Sequence, residues 1–241
     1  MTIPDPGTAV PARVTALARG AALVPVWRNH DGGLTFRTDD DRFIKWGPRG
    51  AQTSMAAERE RLAWAGAHIR VPRVLESGAD AAEEWLVTAA LAGESAVVPR
   101  WLAEPAVAVA AVGRGLRMMH DALPVDGCPF DWSVPHRVRR AERRGIRIPP
   151  GLREAPPVDR LVVCHGDACC PNTLLSEEGE PVAHVDLGAL GVADRWADIA
   201  VASANTAWNY GPGWEDALIA AYGVAPDRER LAFYRALWDA T

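Results

Sequence analysis

The sequence predicts an α+β protein of two lobes, in which a small five-stranded antiparallel sheet with one main helix is followed by a larger, mainly helical lobe. Two observations support this prediction. Short strand-like segments separated by turn residues fill most of residues 1–91, whereas helical patterns dominate residues 92–241. The chain of 241 residues is long enough to bury the cores of two such lobes, and we place the boundary between residues 91 and 92.

Three strand-like segments in the first lobe are joined by strong turn signals. The segments are residues 22–27, 34–37 and 42–46, which are rich in apolar and aromatic side chains. The first turn is Asn-His-Asp-Gly-Gly at residues 29–33, and the second is a run of aspartates at residues 39–41. Short turns between successive strands predict an antiparallel meander.

One main helix and two more strands complete the first lobe. Thr53 or Ser54 can cap the helix, which ends near Gly66. Residues 71–75 and 84–91 have the composition of strands, which brings the predicted sheet to five strands.

Helices dominate the second lobe. Residues 105–120 form a pattern that is apolar on most sides, and residues 135–145 form a helical segment with a very basic face. Two short apolar strands are predicted at residues 161–164 and 182–186. From residue 194 onward, helical patterns alternate with glycine-containing turns.

The composition excludes several classes of protein. The 26 Lys and Arg residues and 31 Asp and Glu residues give a net charge of −5, so the whole protein has no basic field to hold nucleic acid or an anionic membrane. No apolar run approaches the length of a membrane span, and residues 1–6 do not resemble a secretory signal. We therefore expect a cytoplasmic protein with no nucleic-acid or membrane partner, a monomer or weak dimer, whose four cysteines are buried and reduced.

Three polar residues near the two predicted strands of the second lobe indicate the chemistry. Asp167 and Asn172 lie five residues apart after the first strand, and Asp186 ends the second strand. Phosphoryl transfer needs such a set, because a carboxylate must orient the attacking hydroxyl and oxygen ligands must hold the Mg²⁺ on the nucleotide phosphates. Protein kinases use the same Asp-to-Asn spacing followed by an Asp-x-Gly motif. Each residue alone is more typical of a cap or a turn, so the prediction depends on their combination.

A cation and an acid in the first lobe fit the same chemistry. Lys45 lies on the third predicted strand and Glu58 lies on the helix that follows. Kinases use a lysine and a glutamate in this order as the ion pair that positions the nucleotide phosphates. Glu60 is an alternative partner for Lys45, and each charge taken alone is typical of a solvated surface.

The motifs resemble those of a known enzyme family. The segment 165–175, followed by residues 185–200, resembles the aminoglycoside 3'-phosphotransferases, which are antibiotic-resistance kinases with a protein-kinase-like fold. Residues 58–64, 128–131 and 233–235 extend the resemblance over most of the chain.

The resemblance implies a role for each of the polar residues. Asp167 is the catalytic aspartate, and Asn172 and Asp186 hold Mg²⁺. Lys45 with Glu58 positions the co-substrate, which is ATP or GTP. The first lobe then binds the nucleotide, and the second lobe carries the catalytic and substrate-binding residues.

The nucleotide has further candidate contacts in the first lobe. By the resemblance, adenine bonds to the backbone around Ala89 to Leu91. Gly32 and Gly33 lie in a hairpin whose backbone N–H groups can face phosphates, although a plain two-glycine turn explains them equally well.

The sequence departs from the resembled family where the acceptor is expected to bind. Residues 135–153 hold seven arginines and one acid, Glu142, in an insert where the family carries acids for a cationic antibiotic. A solvated basic face and a different acceptor explain this insert equally well. Ala189 and Ala204 stand where the family usually carries arginine.

The acids that remain are candidate contacts for the acceptor. Asp198 is instead assigned a structural salt bridge with its neighbour Arg195. Trp208, Trp214 and Trp238 lie in the same part of the chain and can stack on a ring, although core packing is the commoner role of tryptophan. The candidate contacts are Asp194, Glu215, Asp216, Asp239 and the carboxylate of Thr241.

The sequence therefore predicts a small-molecule O-phosphotransferase that moves a nucleotide γ-phosphoryl group to a hydroxyl. The resemblance implies that the acceptor is a cationic antibiotic, an aminoglycoside modified at its 3'-hydroxyl. One alternative is a kinase of the same fold that acts on another antibiotic or a metabolite, and another is a nucleotide-binding pseudokinase.

Overall fold

The computed structural model describes residues 4–5, 7–29, 31–50 and 54–241, which form two compact units. Unit 1 comprises the described residues of Met1–Ala67 together with Val71–Leu91. Unit 2 comprises His68–Arg70 and Ala92–Thr241.

Unit 1 contains a five-stranded antiparallel sheet with the order β1-β2-β3-β5-β4. In β2 the side chains of Leu34, Phe36 and Thr38 alternate inward, as expected of a strand with one buried face. The strands are β1 (Leu23–Arg28), β2 (Leu34–Thr38), β3 (Arg42–Pro48), β4 (Val74–Ala79) and β5 (Glu83–Ala89).

The edge strand β4 begins later than its predicted start at residue 71. Pro72 has no N–H to donate to a ladder, and pairing with β5 starts only at Val74. The strand then continues through polar and small residues to Ala79, where composition did not indicate a strand.

Two helices belong to unit 1, α1 (Ala12–Ala18) and α2 (Met55–Ala65). Ser54 precedes α2 but its side chain makes no capping hydrogen bond, and the other predicted cap, Thr53, lies outside the described residues. The buried carboxylate of Glu84, on β5, instead accepts a hydrogen bond of 3.1 Å from the N–H of Met55. An acid from the sheet therefore caps the helix that carries Glu58.

Unit 2 is mainly helical, and its short strands form a two-stranded and a three-stranded sheet. The helices are α3 (Pro99–Ala103), α4 (Pro105–Ala122), α5 (Val134–Arg143), α6 (Trp196–Tyr210), α7 (Glu215–Tyr222) and α8 (Arg228–Ala240). The strands are β6 (Glu94–Ser95), β7 (Leu161–Cys164), β8 (Thr173–Leu175), β9 (Pro181–His184) and β10 (Gly191–Asp194).

The predicted α+β architecture is confirmed, with three strands added. The sequence indicated β7 and β9 but not β6, β8 and β10, because segments of two to four residues carry too little periodicity. The second predicted strand also ends early, at His184, because Asp186 has left-handed backbone geometry with φ of 63°.

Helix α4 lies at the centre of the unit 2 core. Val109, Val112 and Leu116 are at most 1% exposed and belong to one apolar cluster with residues of α6, α7 and α8. Within the described part of the chain, no helix has the length and apolar character needed to cross a bilayer. All four cysteines are reduced thiols, of which Cys164, Cys169 and Cys170 are buried as expected, whereas Cys128 is only half-buried.

Helices α4 and α7 pack closely because Gly113 has no side chain. A Cβ atom at this position would lie 2.5 Å from the carbonyl oxygen of Leu218 and 2.9 Å from the Cβ of Ala221. We expect Gly113→Ala to lower the free energy of unfolding by about 1–3 kcal/mol, although its helix propensity alone would raise it by about 1 kcal/mol. Urea unfolding followed by circular dichroism measures the change.

Gly151→Ala is the matched control, because no atom lies within 4 Å of the Cβ position at Gly151. Equal unfolding midpoints for Gly113→Ala and the unsubstituted protein would contradict the close contact between α4 and α7.

Candidate active site

In unit 1, Lys45 and Glu58 form an ion pair in which the amine contacts both carboxylate oxygens. The Nζ atom of Lys45, on β3, lies 2.7 Å and 2.9 Å from the two carboxylate oxygens of Glu58, on α2. The Lys45 side chain is 23% exposed and the Glu58 side chain is 9% exposed. Glu60, the alternative partner, is exposed. The structure therefore pairs Lys45 with Glu58 and leaves the Lys45 side chain partly exposed.

Lys45 is also the only lysine among the 26 Lys and Arg residues of the sequence. An ammonium group is a compact, strongly hydrated point charge, whereas a guanidinium group is a planar fork. All the remaining Lys and Arg positions are arginine, and the one lysine is held by a buried glutamate. This pattern favours a specific role for the Lys45 amine.

In unit 2, the residues around Asp167 form a compact polar loop, residues 165–172, which we call the HGD loop. The thiol of Cys169 donates to Oδ1 of Asp167 at 2.9 Å. The amide nitrogen of Asn172 donates to the Asp167 carbonyl oxygen at 2.9 Å and lies 3.4 Å from Oδ2. Asp167 and Asn172 are therefore brought together as the spacing predicted, and Cys169 adds a contact that the sequence analysis did not foresee.

His165 joins the HGD loop to the segment that carries Asp186. Its ring Nε2 donates to the carbonyl oxygen of Val185 at 2.9 Å, and its Nδ1 accepts from the N–H of Asp167 at 3.3 Å. The side chain of His165 is fully buried. These contacts give His165 an ordering role between Asp167 and Asp186.

A close backbone approach also joins the two segments. Gly166 has φ of +83°, and a Cβ atom there would lie 2.2 Å from the carbonyl oxygen of Ala189. Only glycine fits this position, because both the backbone conformation and the space exclude a side chain.

The buried carboxylate of Asp198, in the first turn of α6, holds the start of the HGD loop. Its oxygens accept from the N–H of His165 at 2.5 Å and from the N–H of Gly166 at 2.9 Å. His120 Nε2 lies 3.0 Å from the same carboxylate, and His120 Nδ1 lies 2.8 Å from the hydroxyl of Tyr222. The predicted salt bridge with Arg195 is wrong, because Arg195 pairs with Asp159 at 2.6 Å and Asp198 points into the core.

A second residue of α6, Asn205, holds the middle of the HGD loop. Its Oδ1 accepts from the N–H of Cys170 at 2.8 Å and from the Nδ2 of Asn209 at 2.7 Å. Asp198 and Asn205 are seven residues apart, which places them on one face of a helix. That spacing is a signal in the sequence that the two polar side chains share a face of α6, but the loop that they hold is shown only by the structure.

The two aspartates at the centre of unit 2 have opposite pKa shifts. Burial, and next the negative charge of Asp186, raise the pKa of Asp167. Burial also acts to raise the pKa of Asp198, but the hydrogen bond and charge of His120 and the N–H of Gly166 outweigh it, so the pKa is lowered. Asp198 is thus held as an anion.

Two groups of side chains in unit 2 have the composition of a metal site. His120, Cys164 and Asp198 offer ligand atoms within 4.8 Å of one another. Both ring nitrogens of His120 and both oxygens of Asp198 already take part in hydrogen bonds, so this group is a structural network. The carboxamide oxygen of Asn172 and the carboxylate of Asp186 are instead the kind of ligand that Mg²⁺ prefers.

The structure places one candidate acceptor contact away from any surface. Asp194 is 3% exposed, and its oxygens accept from the N–H of Trp196 at 3.0 Å and the N–H of Asp159 at 2.8 Å. This differs from the prediction that Asp194 faces an acceptor. The physical reason is its position two residues before α6, where a carboxylate satisfies a helix N–H.

The other candidate contacts lie nearer the surface, and most have protein partners. Glu215 pairs with Arg235 at 2.6 Å, and Asp216 pairs with Arg228 at 2.8 Å. Asp239 is exposed, and the described part of the chain records no ion pair for it.

The Arg-rich insert is mostly a solvated face, with one exception. Arg137, on α5, is 2% exposed and donates to the Thr241 hydroxyl at 2.8 Å, while Arg144 lies 3.4 Å from the Thr241 carbonyl oxygen. Burial lowers the pKa of Arg137 to about 10. Basic side chains of the insert therefore contact Thr241, which was predicted to face the acceptor.

In unit 1, backbone N–H groups at the predicted nucleotide contacts have partners. Asn29 Oδ1 accepts from the N–H groups of Asp31 at 3.1 Å and Gly33 at 2.6 Å, and Gly32 has φ of +82°. The N–H of Ala89 donates to the carbonyl oxygen of Arg73 at 2.9 Å. His30, inside the turn, lies outside the described residues. The phosphate and adenine contacts remain predictions.

The role of Asp198 can be tested through stability. We expect Asp198→Asn to lower the free energy of unfolding by about 1–3 kcal/mol, because an amide nitrogen in place of one oxygen leaves a buried backbone N–H without an acceptor. Urea denaturation measures the change. Asp216→Asn is the control, because the Asp216–Arg228 pair is 63% exposed on both sides and contributes about 0–1 kcal/mol. Equal losses in the two variants would refute the anchoring role.

Comparison with known proteins agrees with the geometry of both units. The sequence model of the phosphotransferase enzyme family matches residues 23–234. The aminoglycoside 3'-phosphotransferase of Streptomyces fradiae is 36% identical, over 81% of this chain and 84% of its own length. The streptomycin 3''-kinase of Streptomyces griseus is also 36% identical, over 96% of this chain and 95% of its own length.

A solved structure shows the same fold. Aminoglycoside phosphotransferase APH(3'')-Id from Streptomyces rimosus, in complex with ADP and streptomycin, superposes with a TM-score of 0.70. The two sequences are 29% identical, and the alignment covers 94% of this chain and 96% of the other. Because the family model matches most of the chain, the chain belongs to the phosphotransferase enzyme family, in agreement with the resemblance found in its motifs.

Proposed function

We propose that this protein transfers the γ-phosphoryl group of ATP to a hydroxyl of an aminoglycoside antibiotic. The observation that carries the proposal is the HGD loop, in which Asp167 and Asn172 contact each other and the backbone is fixed by Asp198. Relatives that are 36% identical over most of the chain are named for aminoglycoside or streptomycin phosphorylation.

Asp167 is the proposed catalytic residue. The acceptor hydroxyl oxygen bonds to the γ-phosphorus while the bond from that phosphorus to the β–γ bridging oxygen breaks, and ADP leaves. Asp167 orients the hydroxyl and accepts its proton as the new bond forms. The thiol of Cys169 and the amide of Asn172 hold the carboxylate in place, which is how this chain fixes the direction of attack.

Asn172 and Asp186 are the proposed ligands of Mg²⁺. The amide nitrogen of Asn172 is occupied by Asp167, so its carboxamide oxygen is the atom that it can offer to a hard cation. Asp186 is held in a left-handed conformation, a strain that proteins retain at functional sites. When bound, Mg²⁺ offsets negative charge on the nucleotide phosphates.

Lys45 is the proposed contact for the nucleotide phosphates in unit 1. Glu58 holds its amine, and the Lys45 side chain as a whole is 23% exposed. Because the N–H of Ala89 is bonded inside the sheet, Leu91 is the better proposed backbone contact for adenine. Gly32 and Gly33 remain proposed neighbours of the phosphates, and GTP remains an alternative to ATP.

Two hydroxyl positions are candidates for the acceptor. The 3'-hydroxyl is the first, from the resemblance of the motifs and from the relative in Streptomyces fradiae. The 3''-hydroxyl of a streptomycin-type compound is the second. It is favoured by the streptomycin kinase match, which covers 96% of this chain, compared with 81% for the first relative.

The decisive experiment measures ATP consumption with a panel of acceptors. We expect Mg²⁺-dependent turnover with kanamycin-type or streptomycin-type compounds, and mass spectrometry of the product identifies the modified hydroxyl. Turnover only with other antibiotics or metabolites would contradict the aminoglycoside proposal. Nucleotide binding without turnover on any acceptor would identify a pseudokinase.

Asp167→Ala tests the catalytic assignment in the same assay. We expect kcat to fall by at least about 10³-fold while nucleotide binding persists, because catalysis depends on groups placed at the reacting atoms. Asp126→Ala, at an exposed position in the loop after α4, is the control for removal of a carboxylate.

Lys45→Ala tests the nucleotide contact. We expect the KM for ATP to rise by about tenfold or more, with the acceptor KM changed less, because a point charge on the phosphates is lost. Because Lys45 is the only lysine, an amine-reactive ester should acylate one side chain, and ATP should slow that reaction.

An unchanged KM for ATP together with an acylation rate insensitive to ATP would remove Lys45 from the nucleotide site. Lys45→Arg is the matched variant, since it keeps the charge but not the compact ammonium group.

A further inference from the structure

An exposed pair of tryptophans lies on unit 2. Trp208, on α6, is 64% exposed, which is the highest value among the large apolar side chains that the structure describes. Its ring lies against that of Trp238, on α8, with centroids 5.7 Å apart and planes inclined by 40°. Indole rings left in water are unfavourable, so core packing does not account for the position of Trp208.

Trp208 lies next to the part of α6 that supports the HGD loop. Asn205 accepts from the N–H of Cys170, inside that loop, at 2.8 Å. Three residues along a helix correspond to about 4.5 Å of rise and about 60° of rotation. Trp208 is therefore within one turn of the residue that holds the loop, on the adjoining side of the helix.

The surface of α6 beside Trp208 is formed by small residues. Ala204 lies one turn before Trp208 on the same side, and Ala207 precedes it directly. Neither side chain is long enough to cover the indole ring. Its neighbours on α6 therefore leave the ring exposed.

Two of the acids predicted to contact the acceptor are not available to it. Glu215 is paired with Arg235 and Asp194 is buried, so neither is an open carboxylate. Asp239, the residue after Trp238, is exposed. An acceptor with several ammonium groups needs other favourable contacts, and the face of an indole ring attracts cations and packs on the apolar face of a sugar.

We infer that Trp208 and Trp238 form an aromatic platform on which an ammonium-bearing sugar ring of the acceptor packs, and that they determine acceptor specificity. The inference rests on the proposed function, since it names the surface that receives the acceptor. The platform supplies, through uncharged aromatic faces, part of the attraction for cations that the Arg-rich insert does not provide.

Trp208→Ala tests the platform, because the exposed side chain can be removed with little effect on the core. We expect the acceptor KM to rise by about three- to thirtyfold, with the KM for ATP unchanged and kcat altered by less than about twofold. Trp208→Phe keeps an aromatic face and should recover part of the loss. Met118→Ala, 59% exposed on α4, is the control for loss of exposed apolar surface.

A binding measurement without turnover gives a second readout. Titration of the protein with a kanamycin-type or streptomycin-type compound should change tryptophan fluorescence, and Trp208→Ala should remove most of that change. An unaltered acceptor KM and fluorescence response in Trp208→Ala would overturn the platform while leaving the proposed function intact.

Two other results would also overturn it. If Trp208→Ala changes the sedimentation behaviour but not the acceptor KM, the pair is a contact between copies of this chain. If the unsubstituted protein neither binds nor phosphorylates any aminoglycoside, the proposed function fails and the platform fails with it.

Discussion

The carboxylate of Asp198 is the interaction on which the site in unit 2 depends. It accepts hydrogen bonds from two consecutive backbone N–H groups at the start of the HGD loop, and it is fully buried. A buried anion is costly unless its hydrogen-bonding capacity is used, and here His120 and the two N–H groups use it. The position of Asp167 thus follows from a carboxylate that does not itself meet the acceptor.

Helix α6 carries both the residues that hold the HGD loop and a residue of the proposed acceptor surface. Asp198 and Asn205 lie on the face that holds the HGD loop. Trp208, which belongs to the proposed aromatic platform, lies less than one turn beyond Asn205 on the same helix. A loop supported at two points along a helix keeps its polar groups in fixed geometry, which phosphoryl transfer requires because catalysis consists mainly of positioning and charge.

In each unit, neighbouring groups determine the position or the pKa of the charged residue proposed to act in phosphoryl transfer. In unit 1 a buried glutamate holds the single lysine, so that its charge is fixed in position on a partly exposed side chain. In unit 2 burial, and next the negative charge of Asp186, raise the pKa of Asp167, and the repulsion between these two carboxylates favours a cation near Asp186.

The amino-acid sequence by itself determined the five-stranded sheet, the helical second unit and the family, because strand periodicity, turn residues and the Asp167–Asn172–Asp186 spacing are local signals. It left both Glu58 and Glu60 as possible partners of Lys45, and the structure decided between them, because the Lys45 amine contacts Glu58 while Glu60 is exposed. The tertiary structure alone decided the partners of Asp198, the burial of Asp194 and the contact between the rings of Trp208 and Trp238. These depend on contacts between residues distant in the chain, which no local pattern encodes.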